Sequence, residues 1–167
     1  AEAAGADAII AQGMEAGGHR GAFAAGDAET NLVGSMALIP AVADAVDLPV
    51  IAAGGIADGR AVAAALILGA SAAMIGTALL RSPEAEIAPA WADALSKARP
   101  EHTLATRAFS GRLGRSLRTA FAEAWRDEGA PTPAPYPIQR NLTGALRSRG
   151  LRENDIDRIQ AWAGQAA

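Results

Sequence analysis

In the run Gln12-Gly13-Met14-Glu15-Ala16-Gly17-Gly18-His19-Arg20-Gly21, a single imidazole stands in a glycine-dense loop that directly follows a short apolar segment. An imidazole titrates close to neutrality, so His19 can take a proton from a substrate carbon or hydrogen-bond an anionic substrate. The glycines around it let backbone come close to a flat ligand, which is how a base is brought against a cofactor ring. Gln12, at the end of the apolar segment, can donate its amide to a ring heteroatom or be satisfied by neighbouring backbone. Glu15 can orient His19 or cap the loop. His102 follows Pro100-Glu101 without any such setting and reads as a surface residue.

Two further loops carry anion-binding chemistry. Gly54-Gly55 and Gly76-Thr77 each follow a short apolar run. Neighbouring parallel strands lie about 4.8 Å apart, so two such loops can both reach one phosphate with backbone N–H groups and the Thr77 hydroxyl. In an eight-stranded barrel the loops after strands seven and eight commonly bind phosphate. Together with the histidine loop one strand earlier, this arrangement points to a phosphorylated flat cofactor lying across the strand tops. The alternative is that these glycines only permit tight strand-to-helix turns.

Three strand-plus-helix units must position these loops. Strands are expected at 7–11, 49–53 and 72–75, each short, apolar and bounded by turn residues. Leu38, Val42 and Val46 predict a helix near 38–46. Asp58 is placed to cap a helix carrying Val62, Leu66 and the Ile67-Leu68 pair, ended by Gly69. Ile87, Trp91 and Leu95 predict a last helix over 84–98, with Ser82-Pro83 as its start and Pro89 as an irregularity. Alternating strand and helix predicts an α/β fold with a parallel sheet. Beyond Pro100 the pattern becomes irregular and helix-leaning, with a proline-dense stretch from Pro131 to Pro137 that excludes helix there. We expect two parts, strand-helix units over 1–99 and, over 100–167, a C-terminal extension that packs on them and is not an independent domain. Ala1 to Gly5 reads as the end of a helix, so the chain is expected to begin in mid-fold.

The 167 residues are half apolar, enough for one core. No apolar run approaches the ~18 residues of a membrane span, and the cytoplasm is the expected compartment. Without cysteine there is neither disulfide nor thiolate metal site, and two histidines 83 positions apart make no metal cluster. Residues 1–99 hold 5 basic and 11 acidic groups, and residues 100–167 hold 10 basic and 7 acidic. The tail's arginines alternate with acids, so most read as solvated faces, and nucleic acid is not an expected partner. Gly-x-Ser-x-Gly, the P-loop and the dinucleotide fingerprint are all absent.

Taken together, Gln12 to Gly21, Pro49 to Gly59 and Met74 to Thr77 resemble the nitronate monooxygenase family, once called 2-nitropropane dioxygenases. Thr106 to Arg112, Ala134 to Pro137 and Trp162 to Gln165 are similar to its bacterial class. The resemblance implies a TIM (β/α)8 barrel with non-covalent FMN, of which this chain would be the last three βα units plus the extension, the N-terminal half being absent. It implies His19 as the active-site histidine. It also implies Gln12, Gly17, Gly55 and the run Met74, Ile75, Gly76 and Thr77 as FMN contacts, with Gly18 and Gly54 adjacent. The implied reaction is oxidation of an alkyl nitronate, such as propionate 3-nitronate, by flavin and then O2, without pyridine nucleotide. A fragment of this kind is expected to be inactive alone. The alternatives are a flavin-dependent enoyl-acyl-carrier-protein reductase, which shares the barrel and a similar glycine-histidine loop, and a non-catalytic phosphate-binding remnant.

Overall fold

A computed structural model describes residues 1–166. Its first layer is a parallel sheet of order β1-β3-β4, formed by β1 (Ile9–Gln12), β3 (Val50–Ala53) and β4 (Ala72–Met74). Between β1 and β3 the chain makes the two-residue strand β2 (Gly18–His19) and the helices α1 (Asp27–Thr30) and α2 (Ser35–Ala43). α3 (Gly59–Ile67) connects β3 to β4.

The register divides the sheet into two faces, because side chains alternate along a strand. Ala11, Ala52 and Ala73 share one row, and Ala52 packs in a core with Ile39 of α2, Ala65 of α3, Ile56 and Ala70. On the other face, Ile10, Ile51 and Ala72 form one row, and Gln12, Ala53 and Met74 the next. There Ile10 is 52% and Met74 49% exposed, so this apolar face is open.

Local chemistry fixes the helix boundaries. α2 starts at Ser35, earlier than its apolar spacing predicts, because the Glu15 carboxylate accepts Ser35 N–H at 2.9 Å and Ser35 Oγ–H at 2.9 Å. A carboxylate there also complements the helix dipole. Asp58 caps α3 by accepting the N–H groups of Arg60 and Ala61, both at 3.0 Å. α4 (Pro89–Ser96) is shorter than the expected 84–98. Pro89 is its first residue, where a missing N–H costs nothing, so the irregularity in the apolar pattern is the helix start. Pro83 opens only a single 3-10 turn, Pro83–Ala85.

The tail departs from its helix-leaning expectation. Two strands, β5 (Thr103–Thr106) and β6 (Gly114–Leu117), pair antiparallel, and β6 also pairs with β2, giving a second sheet of order β2-β6-β5. Gly18 sits opposite Arg115 and His19 opposite Gly114. Ser116 bridges to Trp162, and Leu117 N–H donates to Ala161 carbonyl at 2.8 Å, so residues 161–163 continue beside β6 where β2 leaves off. α5 (Ala120–Ala124), α6 (Ile138–Leu142) and α7 (Gly144–Glu153) complete the chain. Leu95 of α4 packs with Leu117, Ile159, Ala161 and Ala163, so strand-helix units and tail share a core.

Candidate functional site

A cavity of about 240 Å3 opens above the carboxyl ends of β1, β3 and β4. Of the residues singled out from the sequence, Gln12, Gly17, Gly18, Gly54, Gly55, Met74, Gly76 and Thr77 line it, joined by Ala16, Ile56, Leu80, Trp162 and Gly164. Ile75 does not: its side chain packs against the core under α2 and α3, leaving only its backbone for a ligand.

The glycines are of two kinds. Gly54 has φ +99°, and a Cβ there would meet Ala16 N at 2.9 Å. At Gly17 a Cβ would lie 2.6 Å from Gly164 N, so the histidine loop and the chain's last residues touch through backbone alone. By contrast, a Cβ on Gly76 would meet nothing within 4 Å and would occupy open space. Thr77 Oγ1 accepts the Gly164 N–H at 2.9 Å, and its own proton remains available to the cavity.

Gln12 is committed to the loop. Its Nε2 donates to His19 carbonyl at 3.0 Å and its Oε1 accepts Gly21 N–H at 2.9 Å, so the expected link to a ring heteroatom has only the second amide proton left. Glu15 caps α2 and does not orient His19. His102 Nδ1 accepts Arg99 N–H within its own turn, far from this chemistry.

His19 stands at the rim without lining the cavity: it follows Gly18 and lies beside Trp162, both of which do line it. Its ring lies edge-on to Trp162, with centroids 5.0 Å apart, and edge-on to Tyr136 at 5.8 Å. Its Nε2 is 2.7 Å from Ser110 Oγ. Ser110 Oγ donates to Arg112 carbonyl at 3.1 Å and accepts Arg112 N–H at 3.3 Å. Nε2 is thus held by the Ser110 hydroxyl, while Nδ1 has no side-chain partner among the described residues. Burial first, then the charges of Arg112 and Arg140, hold the imidazole below its ordinary pKa of 6.5. His19 is therefore neutral at pH 7, the form that can accept a proton.

Three guanidiniums tie down the histidine loop. Arg20 donates to Gly13 carbonyl at 2.6 Å and to Gln12 carbonyl at 3.0 Å, and Arg115 to Met14 carbonyl at 3.1 Å and Thr103 Oγ1 at 3.1 Å. Arg112 reaches Arg20 carbonyl at 3.0 Å and Ala22 carbonyl at 2.7 Å. Arg115 is buried and Arg112 half-buried, so these two stand apart from the tail's mostly solvated arginines. Hydrogen bonds from charged donors are worth about 1.5–3 kcal/mol each, enough to order a loop rich in glycine. The sequence reasoning missed Ser110, Trp162 and these arginines as parts of the site. Ser110, Arg112 and Trp162 fall in segments that carry the family resemblance and Arg20 in the histidine loop itself, whereas Arg115, whose partner Met14 is 101 positions away, has no local signal.

Among the described residues no group of three or more His, Asp and Glu side chains could hold a metal ion, and no helix is long and apolar enough to cross a membrane.

The nitronate monooxygenase family model matches residues 1–167. A probable nitronate monooxygenase of Staphylococcus aureus strain Newman is 42% identical over 165 residues, covering 99% of this chain and 46% of the relative. The solved nitroalkane oxidase of Streptomyces ansochromogenes is 43% identical, with a TM-score of 0.88 over 99% of this chain and 47% of its own. FabK from Thermotoga maritima is 38% identical, with a TM-score of 0.77 over 99% of this chain and 49% of that one. The chain thus spans about half the length of these relatives. With its α/β architecture, glycine-lined cavity and histidine at the rim, the chain belongs to the nitronate monooxygenase family.

Proposed function

We propose that this chain contributes the histidine and the phosphate-binding side of an FMN-dependent nitronate monooxygenase, in which β1, β3 and β4 are three of the eight strands of a TIM barrel. In this reading 1–99 supplies the βα units and 100–167 the extension that holds the histidine loop. The observation that carries it is the joint lining of one cavity by three loops, Gly17-Gly18, Gly54-Gly55 and Gly76-Thr77, with a neutral imidazole beside it.

The cavity suits the phosphate of FMN. The place a Cβ on Gly76 would fill is open, the Thr77 hydroxyl proton is free to donate, and the adjacent backbone can present N–H groups to an anion. Gln12, Gly17, Gly18, Gly54, Gly55 and the backbone and side chains of Met74 to Thr77 would hold the group, with Ile75 contributing backbone only. When bound, the flavin supplies the electron transfer that neither imidazole nor hydroxyl can perform, passing electrons from nitronate to O2. The residues of the chain do the rest. The neutral His19 imidazole accepts the α-proton of a neutral nitroalkane or, with an alkyl nitronate such as propionate 3-nitronate, orients the anion. Ser110 fixes the ring, and Trp162 and Tyr136 flank it edge-on.

The open face of the sheet fits a barrel interior completed by further strands. In this reading residues 1–167 alone hold FMN poorly and turn over no nitronate.

Anaerobic mixing tests the function. Bleaching of the flavin by a nitronate, followed by nitrite release on admitting O2, is the expected result with the intact flavin-loaded protein. Bleaching by NADH or NADPH instead would establish the second reading, a flavin-dependent enoyl-acyl-carrier-protein reductase, with which the likeness to FabK belongs. Response to neither reagent would leave the phosphate-binding remnant.

A further inference from the structure

Gly54 and Gly55 form a thin wall between two cavities. On one side they line the 240 Å3 cavity together with Gly76 and Thr77. On the other they line a second cavity, of about 330 Å3, that lies between α2 and α3 and is also lined by Glu15, Ser35, Ile39 and Ala65. Both glycines have positive φ, +99° and +73°. With no Cβ on either, the backbone itself does not decide which way the plane of their shared peptide faces. The choice matters to an anion. The peptide is trans, so its C=O and N–H point in opposite directions, and one orientation offers the cavity an N–H while the other offers a carbonyl oxygen. A phosphate accepts the first and is repelled by the second.

The orientation is set from behind the wall. Ser35 Oγ, whose link to the Glu15 carboxylate opens α2, also stands 2.9 Å from the Gly54 carbonyl oxygen. With that oxygen held on the Ser35 side, Gly55 N–H faces the opposite way, into the 240 Å3 cavity, and among the described residues it has no acceptor. Ser35 is itself confined. Its N–H donates to both Glu15 carboxylate oxygens, at 2.9 and 3.1 Å, and a Cβ on Gly13 would coincide with its Oγ, so the hydroxyl fills space that only glycine leaves. Glu15 is anchored at its main chain too, its carbonyl accepting Gln165 N–H at 2.9 Å. Neither Glu15 nor Ser35 lines the 240 Å3 cavity, so their influence on a ligand there passes through the Gly54-Gly55 peptide.

We propose that Ser35 is a positioning residue for the FMN phosphate, holding the Gly54-Gly55 peptide with its N–H toward the cavity, while Glu15 holds Ser35. This rests on the FMN reading above and deepens it, because the anion preference of the cradle then depends on a side chain that never meets the anion. Without the hydroxyl the plane is free to turn and to bring the Gly54 oxygen against the phosphate. Riboflavin, which has the ring and the ribityl chain but no phosphate, is indifferent to that turn.

The test compares FMN with riboflavin on the intact protein freed of its flavin, as wild type and as Ser35→Ala and Ser35→Thr. Fluorescence titration should show the ratio of affinities, FMN over riboflavin, falling roughly tenfold in Ser35→Ala, the loss expected of one hydrogen bond to a charged acceptor, with riboflavin binding nearly unchanged. Ser35→Thr keeps the hydroxyl and should restore most of the ratio. If Ser35 served only to start α2, its removal would weaken both flavins alike. Equal losses, or an unaltered ratio in Ser35→Ala, therefore overturn the proposal. Should Ser35→Ala fail to fold, the wild type decides: the Gly55 amide resonance should move further on binding FMN than on binding riboflavin, and equal displacements overturn the proposal. A wild-type protein that binds both flavins equally well overturns the phosphate cradle itself, an outcome distinct from failure of the Ser35 role alone, in which the wild-type preference for FMN stands.

Discussion

His19 Nε2 and Ser110 Oγ stand 2.7 Å apart although 91 residues separate them. The serine is itself pinned by the carbonyl and N–H of Arg112, so the imidazole is aimed by backbone. Ser110→Ala removes the only side-chain hydrogen bond of the ring among the described residues and should lower kcat by roughly 10- to 100-fold through misorientation. His19→Asn should cost about 10²- to 10⁴-fold with neutral nitroalkanes, where proton removal is needed, and less with preformed nitronates. Steady-state kinetics on matched nitroalkane and nitronate pairs separates the two. Equal losses on both members of a pair would remove His19 from the proton transfer.

The pH dependence has a definite sign. Because burial and the charges of Arg112 and Arg140 lower the pKa of His19, the neutral base persists as pH falls through 6.5 and is lost only below that. The acid limb of kcat/KM for a neutral nitroalkane should therefore lie below 6.5, and Arg140→Gln should move it to higher pH. Stability follows the same sign. The unfolded chain takes up a proton near 6.5 and folded His19 does not, so acid destabilises the fold between the lowered pKa and 6.5. A pH–rate profile and urea midpoints across that window check both.

Glycine substitutions separate a steric need of the fold from a steric need of the ligand. Gly17→Ala places a methyl 2.6 Å from Gly164 N and should destabilise by about 1–3 kcal/mol, as overpacked sites do. Gly76→Ala meets no atom within 4 Å, so its thermal midpoint without flavin should stay near wild type while FMN affinity falls. Thermal unfolding beside a fluorescence titration with FMN reads both quantities. If Gly76→Ala binds FMN as well as wild type, the phosphate does not sit there.

The parallel sheet was legible because its signals are local. Short apolar runs, each ended by glycine, mark β1, β3 and β4, and Asp58 and Gly69 bracket α3. The antiparallel sheet was not. β2 has two residues, and β6 reads Gly-Arg-Ser-Leu, with no apolar alternation, because it is buried through pairing on both sides and through Trp162. For the same reason His19 was legible as a base but its partner was not: the bond to Ser110 depends on β2 meeting β6, a contact no local pattern encodes. The tail's arginines read mostly as solvated, and nothing local marks Arg115 as the exception, whose partner is a carbonyl at Met14, 101 positions away.

The open face of the parallel sheet bears on expression. Ile10 and Met74 stand half exposed, with β1 and β4 as unpaired edges. Such edges invite pairing with other chains. Residues 1–167 produced alone should associate or unfold without a sharp transition, and should not co-purify with stoichiometric flavin. Size-exclusion chromatography and the visible spectrum decide this, and a yellow, monomeric preparation would refute the expectation.

Gly164 N–H reaches Thr77, Gln165 N–H reaches the Glu15 carbonyl, and Trp162 lies beside the imidazole. Residues 162–165 are therefore a seam stitching two loops together. Substitutions in that seam would act on flavin retention without touching the flavin.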